Sequence, residues 1–149
     1  MRPTWTEYFM NIAQVVATRS NCSRRHVGAI VVHDKRIIST GYNGTPKGYP
    51  NCSDGGCDRC NSNSHSGEGL EDCLCIHAEE NAIIQAAYHG TSCKDSILYC
   101  TLSPCIHCSK TIINAGITQV IYKEEYIIVQ PTLDLLDKCG IKCEKYVEL

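Results

Sequence analysis

Two short stretches constrain this chain more than anything else in it. The first reads Cys75-Ile76-His77-Ala78-Glu79-Glu80-Asn81-Ala82-Ile83-Ile84, and the second Ser103-Pro104-Cys105-Ile106-His107-Cys108. His77, Cys105 and Cys108 together make a three-ligand set for zinc. A catalytic zinc typically keeps three protein ligands and leaves a fourth position open. Glu79 follows the histidine by two residues, as a carboxylate beside that open position rather than a ligand. Each stretch sits where a helix should begin, so the fold must bring two helix N-termini to one point.

The first of these helices is expected from His77 to about Tyr88. It packs through Ala78, Ala82, Ile83, Ala86 and Ala87, and Gly90 stops it. Residues two apart inside a helix point in different directions. His77 and Glu79 can therefore converge only if they occupy the turn by which the chain enters. In the second helix Ser103 reads as N-cap and Pro104 as the first helical residue. Cys105 and Cys108 then fall at i and i+3, near the positive end of the helix, which favours thiolates. His107 lies between them and points elsewhere, as a solvated or packing histidine. The helix continues through Ile112, Ile113 and Ala115 to Gly116.

The other elements follow from periodicity. Thr6 to about Ser20 reads as a helix with Thr4 or Thr6 as N-cap and Tyr8, Phe9, Ile12, Val15 and Val16 as its packing face. Val27 to Val32 and Arg36 to Tyr42 read as strands of an antiparallel hairpin turned at His33-Asp34-Lys35. Further strands are expected at Ser96–Thr101, Thr118–Lys123 and Ile141–Val147, with a last helix at Thr132–Cys139. Helix and strand alternating over the second half imply an α/β protein with helices covering a sheet. Asn43-Gly44 begins a loop. Asn43 either supplies a turn or offers a polar contact to a ligand.

Residues 1–149 read as one domain, 43% hydrophobic and 20% charged. The net charge of −2 argues against a strong nucleic-acid binder. No apolar run reaches the length of a membrane span, and the first residues lack the apolar core of a signal peptide. Twelve cysteines without such a signal, clustered at metal-ligand spacing, suggest a reducing, cytoplasmic setting, with disulfides as the alternative. The stretch from about 51 to 75 has no periodicity but carries Cys52, Cys57, Cys60, Cys73 and Cys75. An unpatterned insertion of this length needs something to order it. A second, structural zinc held by four thiolates would do so. Cys57 and Cys60 form one pair and Cys73 and Cys75 another, with Cys22 and Cys52 as replacements.

The order H-x-E then P-C-x-x-C is the pattern of zinc-dependent nucleobase deaminases. A metalloprotease would instead show H-E-x-x-H, which is absent. The ion would lower the pKa of water toward 7, and Glu79 would carry a proton from that water to a ring nitrogen and then to the leaving amine. The chain resembles the cytidine deaminase superfamily, and within it the deoxycytidylate (dCMP) deaminase branch. The resemblance runs through Cys22-Ser23-Arg24-Arg25-His26-Val27-Gly28-Ala29, Gly41-Tyr42-Asn43-Gly44 and both zinc stretches, nearly the whole chain.

What the resemblance implies is specific. The fold would be a three-layer α/β/α arrangement with a five-stranded mixed sheet and flanking helices. The reaction would convert dCMP to dUMP and ammonia for thymidylate synthesis. Glu79 would be the proton shuttle. The backbone at Ala78 would hold the pyrimidine, and the backbone at Ser103 would accept from the leaving amine. Asn43 would contact the sugar. Ser23 and Arg24 would meet the 5′-phosphate, with Arg25 the alternative to Arg24. The second zinc would take Cys22, Cys52 and Cys75, with Cys60 as fourth ligand and Cys57 and Cys73 as alternatives. Relatives of this branch suggest a homohexamer activated by dCTP and inhibited by dTTP with Mg²⁺, through a site that includes Asn43 and Gly44. Neither nucleic acid nor membrane is an expected partner.

Overall fold

The structure, a computed structural model, describes residues 1–148. Its first helix, α1 (Trp5–Ala17), is capped by Thr4, whose hydroxyl accepts the Glu7 N–H at 3.2 Å. The helix ends three residues before the expected limit, and its buried face differs in part from the expected one. Phe9 is buried and Ile12 and Val16 pack against the core as expected, but Met10, Ala13 and Ala17 are buried too, while Tyr8 and Val15 are exposed. Bulk explains the difference. Ala13 and Ala17 lie over Gly28, where a Cβ would meet the Ala13 carbonyl oxygen at 2.2 Å and the Ala17 nitrogen at 2.5 Å. Contact this close selects small residues, which a search for bulky apolar periodicity passes over.

The hairpin joins β1 (Gly28–His33) to β2 (Arg36–Tyr42), with Ala29 opposite Gly41 and Ile30 opposite Thr40. Asp34 and Lys35 close it with φ of 50° and 61°, the paired left-handed geometry that matches strand twist. After the cysteine-rich insertion come α2 (Ala78–Tyr88), β3 (Ile97–Leu102), α3 (Ile106–Asn114), β4 (Gln119–Glu124), α4 (Gln130–Lys138) and β5 (Lys142–Lys145). The strand order is β2-β1-β3-β4-β5. β1 pairs antiparallel with both neighbours, whereas β3, β4 and β5 run parallel. The expected mixed five-stranded sheet is therefore present. The last two elements shift. α4 starts at Gln130 with Pro131 in its first turn, and β5 is four residues long because only Lys142 to Lys145 pair with β4.

Side chains alternate across the central strands and feed two cores. Ile30, Val32, Tyr99 and Ile121 meet Phe9, Met10 and Ala13 of α1 on one face. Val31, Leu98 and Val120 meet Ala82 of α2, Ile112 of α3 and Leu136 of α4 on the other. The result is three layers, α/β/α, with α1 alone on its side.

Gly28→Ala is expected to cost about 1–3 kcal/mol of stability, the usual penalty for overpacking. The new methyl meets helix backbone, which no side-chain rotation can move away. Urea denaturation reads this as a lowered midpoint. Because α1 lies on the face opposite α2 and α3, zinc content should not change. A midpoint equal to wild type would contradict the close approach.

Candidate active site

His77 is the N-cap of α2, with extended φ and ψ of −69° and 152°, and so stands just outside the helix. Glu79 is the second helical residue and is 4% exposed. This one-residue step from cap to helix lets two side chains that would diverge inside a helix share one space. The helix is set against β2 at Gly41. A Cβ there would meet the Ala78 carbonyl oxygen and the Ala82 nitrogen, both at 2.3 Å.

The second stretch enters differently from expectation. Ser103 is not the cap of α3. Its N–H donates to the Glu124 carbonyl at 2.8 Å, and its Oγ accepts the Tyr126 N–H at 2.7 Å. With that hydroxyl committed to the chain beyond β4, Cys105 becomes the N-cap, and its Sγ accepts the Cys108 N–H at 3.4 Å. Cys108 is thus the third helical residue, and both sulfurs sit at the helix N-terminus.

His77 Nδ1 lies 3.2 Å from Cys108 Sγ and 3.4 Å from Cys105 Sγ, and the three atoms are mutually within 4.8 Å. One imidazole nitrogen carries at most one hydrogen, so it cannot bond well to two sulfurs at once. A cation between all three satisfies them together. Zinc bonds of about 2.3 Å to sulfur and 2.0–2.1 Å to nitrogen would put N and S about 3.5 Å apart in a tetrahedron. The donor set fits zinc. Without metal, hydrogen bonds from Cys108 and His77 push the Cys105 thiol down to about 3. The bond with Cys105, together with burial, pushes Cys108 up. The Cys105 sulfur raises His77 to about 9. Burial raises Glu79 to about 7, and a bound cation would draw it down again.

These groups open into a cavity of about 830 Å³. Arg24, Arg25, Asn43, Ala78 and Ser103 line it, and so does Tyr126. Ser23 does not. Its N–H and Oγ turn to Cys52 Sγ and the Cys60 carbonyl, both at 3.3 Å. Arg24 is also engaged, donating to the carbonyls of Cys60 at 3.0 Å and Ser62 at 2.9 Å. Arg25 is the freer of the pair. It is exposed, its guanidinium lies 5.0 Å from the Tyr126 ring centroid, and one nitrogen donates to Ser66 Oγ at 3.3 Å. Asn43 has no positive φ, so it is not the turn residue its neighbour glycine suggests. Its Oδ1 accepts the Val27 N–H at 2.9 Å and its Nδ2 donates to the Arg25 carbonyl at 2.9 Å. Gly44 pairs with Ile76, which ties the end of β2 to the entry of α2. His107 stands off from the metal trio and donates to Glu80 Oε1 at 2.9 Å.

Tyr126 went unnoticed in the sequence. A signal was available, since it follows β4 at the carboxyl end of a parallel strand, where open α/β sheets form their sites.

The insertion has only two three-residue 3-10 turns, at Cys52–Asp54 and Leu70–Asp72. It gathers six sulfurs with Cys22. All four atoms of Cys22, Cys52, Cys60 and Cys75 lie within 4.8 Å of one another, and the same holds for Cys57, Cys60, Cys73 and Cys75. All twelve cysteines are free of disulfides.

The profile described as the cytidine and deoxycytidylate deaminase zinc-binding region matches residues 3–124. The chain belongs to this family. Among similar members is the deoxycytidylate deaminase of Schizosaccharomyces pombe, 46% identical over 98% of this chain and 45% of its own length. That of Saccharomyces cerevisiae is 42% identical over 98% and 46%. The chain thus spans about half the length of these two relatives. The deoxycytidylate deaminase of Mycobacterium phage D29 is 41% identical over 83% of this chain and 98% of its own. Among solved structures, the dCMP deaminase of cyanophage S-TIM5 in complex with dCMP and dUMP superposes with a TM-score of 0.82. It is 37% identical over 98% of this chain and 99% of that one. A tRNA:A34 deaminase, 21% identical with a TM-score of 0.63, shares the deaminase family's fold.

Proposed function

We propose that this chain hydrolyses dCMP to dUMP and ammonia. The observation that carries the reading is the buried Glu79 carboxylate, opening beside the His77–Cys105–Cys108 trio into one cavity large enough for a nucleotide. The dCMP and dUMP bound to the S-TIM5 relative support the choice of substrate.

Zinc held by His77, Cys105 and Cys108 would supply a Lewis acid that brings water's pKa toward neutrality. Glu79 takes a proton from the attacking water and delivers it to N3 of the pyrimidine as the new C–O bond forms at C4. Glu79 then takes the proton of the new C4 hydroxyl and passes it to the amino group, the C4–N bond breaks as the C4 carbonyl forms, and ammonia leaves. The Ala78 N–H, an unpaired donor of the first helical turn, faces the pyrimidine carbonyl. The Ser103 N–H is already committed to Glu124, which leaves the Ser103 carbonyl to accept from the leaving amine. Asn43 meets the sugar with the hydrogen-bonding capacity its bonds to the connector leave over.

For the 5′-phosphate, Ser23 and Arg24 are occupied in holding the insertion, and Arg25 is the better fit. Its guanidinium is exposed on the cavity wall and steadied over Tyr126. Arg25→Ala is expected to raise KM for dCMP roughly 10- to 100-fold, the worth of a charged hydrogen bond. Turnover of deoxycytidine should change little. Steady-state kinetics on both substrates check this, and equal losses on both would sink the phosphate role.

The same reading includes a homohexamer in a reducing, cytoplasmic setting, feeding thymidylate synthesis. It also includes activation by dCTP and inhibition by dTTP with Mg²⁺, at a site with Asn43 and Gly44. Its support is the likeness of Gly41-Tyr42-Asn43-Gly44 to the branch's regulatory loop and the free state of every cysteine. The test is ammonia release from dCMP, CMP, dCTP and deoxycytidine, with and without dCTP and dTTP. Turnover confined to dCMP, raised by dCTP and lowered by dTTP, is the expected result. Preference for deoxycytidine would overturn the substrate, and insensitivity to both triphosphates would overturn the regulation.

A further inference from the structure

The buried cluster formed by the insertion contains cysteines and nothing else: Cys22, Cys52, Cys57 and Cys60, with Cys73 and Cys75 packed against them. Residues 51–75 hold no helix or strand beyond the two short turns, so no apolar core offsets the entropy of ordering them. Metal coordination can take the place of a core, because its binding energy becomes folding energy.

The sulfurs form two foursomes, and these share Cys60 and Cys75. One tetrahedral zinc uses four thiolates and would leave two thiols of the cluster without a role. Two tetrahedral ions need more ligand positions than six sulfurs provide singly, and sharing two sulfurs makes up the difference. We infer that the insertion holds a binuclear zinc cluster. Cys60 and Cys75 bridge the two ions. Cys22 and Cys52 complete one ion, and Cys57 and Cys73 complete the other.

Three observations agree with this assignment. Cys60 Sγ and Cys57 Sγ lie 3.6 and 3.9 Å from Cys73 Sγ. Two sulfurs on one zinc, each bonded at about 2.3 Å, are separated by about 3.8 Å in a tetrahedron. Next, the backbone hydrogen bonds to sulfur fall on unshared positions. The Ser23 N–H donates to Cys52 Sγ at 3.3 Å in one foursome, and the Leu74 N–H to Cys57 Sγ at 3.2 Å in the other. Among the described residues no backbone hydrogen bond of this kind reaches Cys60 or Cys75. A bridging sulfur gives lone pairs to two metals and retains less charge to attract an N–H. Finally, six thiolates outweigh two divalent cations, and Arg24, fixed on the Cys60 carbonyl at 3.0 Å, sets a guanidinium beside the excess negative charge.

The cluster is tested without turnover, so its failure and that of the proposed deamination are separable. Zinc is counted by elemental analysis in protein purified from zinc-supplemented cells. The wild-type chain and the His77→Ala/Cys105→Ala variant, which lacks two ligands of the separate trio, are compared. Three ions per wild-type chain and two in the variant are expected. A single ion in the variant, or a Cys57–Cys73 disulfide in peptide maps of either protein, overturns the proposal. Wild-type protein reloaded with ¹¹³Cd then reports on sharing, and decides the matter alone if the variant does not fold. Two cadmium signals that both correlate with the β-protons of Cys60 and Cys75 are expected. Signals with no cysteine in common, or one signal correlating only with cysteines of the insertion, overturn it.

Discussion

Glu79→Gln lowers kcat for dCMP by roughly 10²- to 10⁴-fold, the range expected when a positioned general acid–base group is lost. Glutamine keeps the size of the side chain and its place in the first turn of α2, where Glu79 is buried against the metal trio. What it cannot do is take up a proton and give it back, and the reaction needs that twice. Glu79 is not among the three atoms that converge for the ion, so zinc content should match wild type. KM should also stay within a few-fold, because the groups proposed to hold sugar and phosphate are elsewhere in the cavity. Parallel measurement of kcat, KM and zinc per chain separates the possibilities. Near-normal turnover would remove Glu79 from the proton path. Loss of zinc along with activity would make it a structural support of the site.

Gly41→Ala has the second large effect, on both stability and the site. Its Cβ would stand 2.3 Å from the Ala78 carbonyl oxygen and 2.3 Å from the Ala82 nitrogen. Both are backbone atoms of the first turns of α2, so the helix itself must back away from β2. The overpacking cost is about 1–3 kcal/mol. The displacement also carries His77 and Glu79 with it, and a shift on the order of 1 Å at reacting groups can cost about 10²-fold in rate. Gly28→Ala supplies the control, since it strains the α1 side of the same sheet by a similar close approach. Loss of activity in Gly41→Ala but not in Gly28→Ala, at comparable urea midpoints, is the expected pattern. Equal activity in both would mean that α2 can yield without disturbing the site.

What could be read from the sequence followed from local chemistry. β2 runs from Arg36 to Tyr42 as expected, because its ends are marked by a turn and a loop. The convergence of the trio was legible because ligand identity and spacing are local properties, although the start of α3 falls two residues later than the Ser103–Pro104 pair indicated. Contacts between distant segments were not legible. Ser103 looked like a cap until Glu124 and Tyr126 of the neighbouring strand's end engaged it, and Cys105 took the role. Phe9, Ile12 and Val16 of α1 pack inward as their periodicity indicates, but Ala13 and Ala17 were missed, because the helix's closest contact is made by alanines over a glycine. The five cysteines of the insertion and Cys22 could be grouped into two alternative foursomes, by spacing and by resemblance, and both foursomes converge. That the two share Cys60 and Cys75 in one cluster was not legible, since no periodicity there indicates how the loop folds back. Arg24 and Arg25 are neighbours in sequence, and only the position of the insertion shows that one is engaged with its carbonyls while the other lies over Tyr126.

The most direct measurement of the central claim follows dCMP by ¹H NMR with zinc-loaded protein, wild type beside Glu79→Gln. The account predicts that the cytosine signals give way to those of dUMP with one ammonia released per dUMP formed, and that the variant, equally loaded with zinc, leaves dCMP intact over the same period. dCMP unchanged by the zinc-loaded wild type, or converted equally well by both proteins, would contradict it.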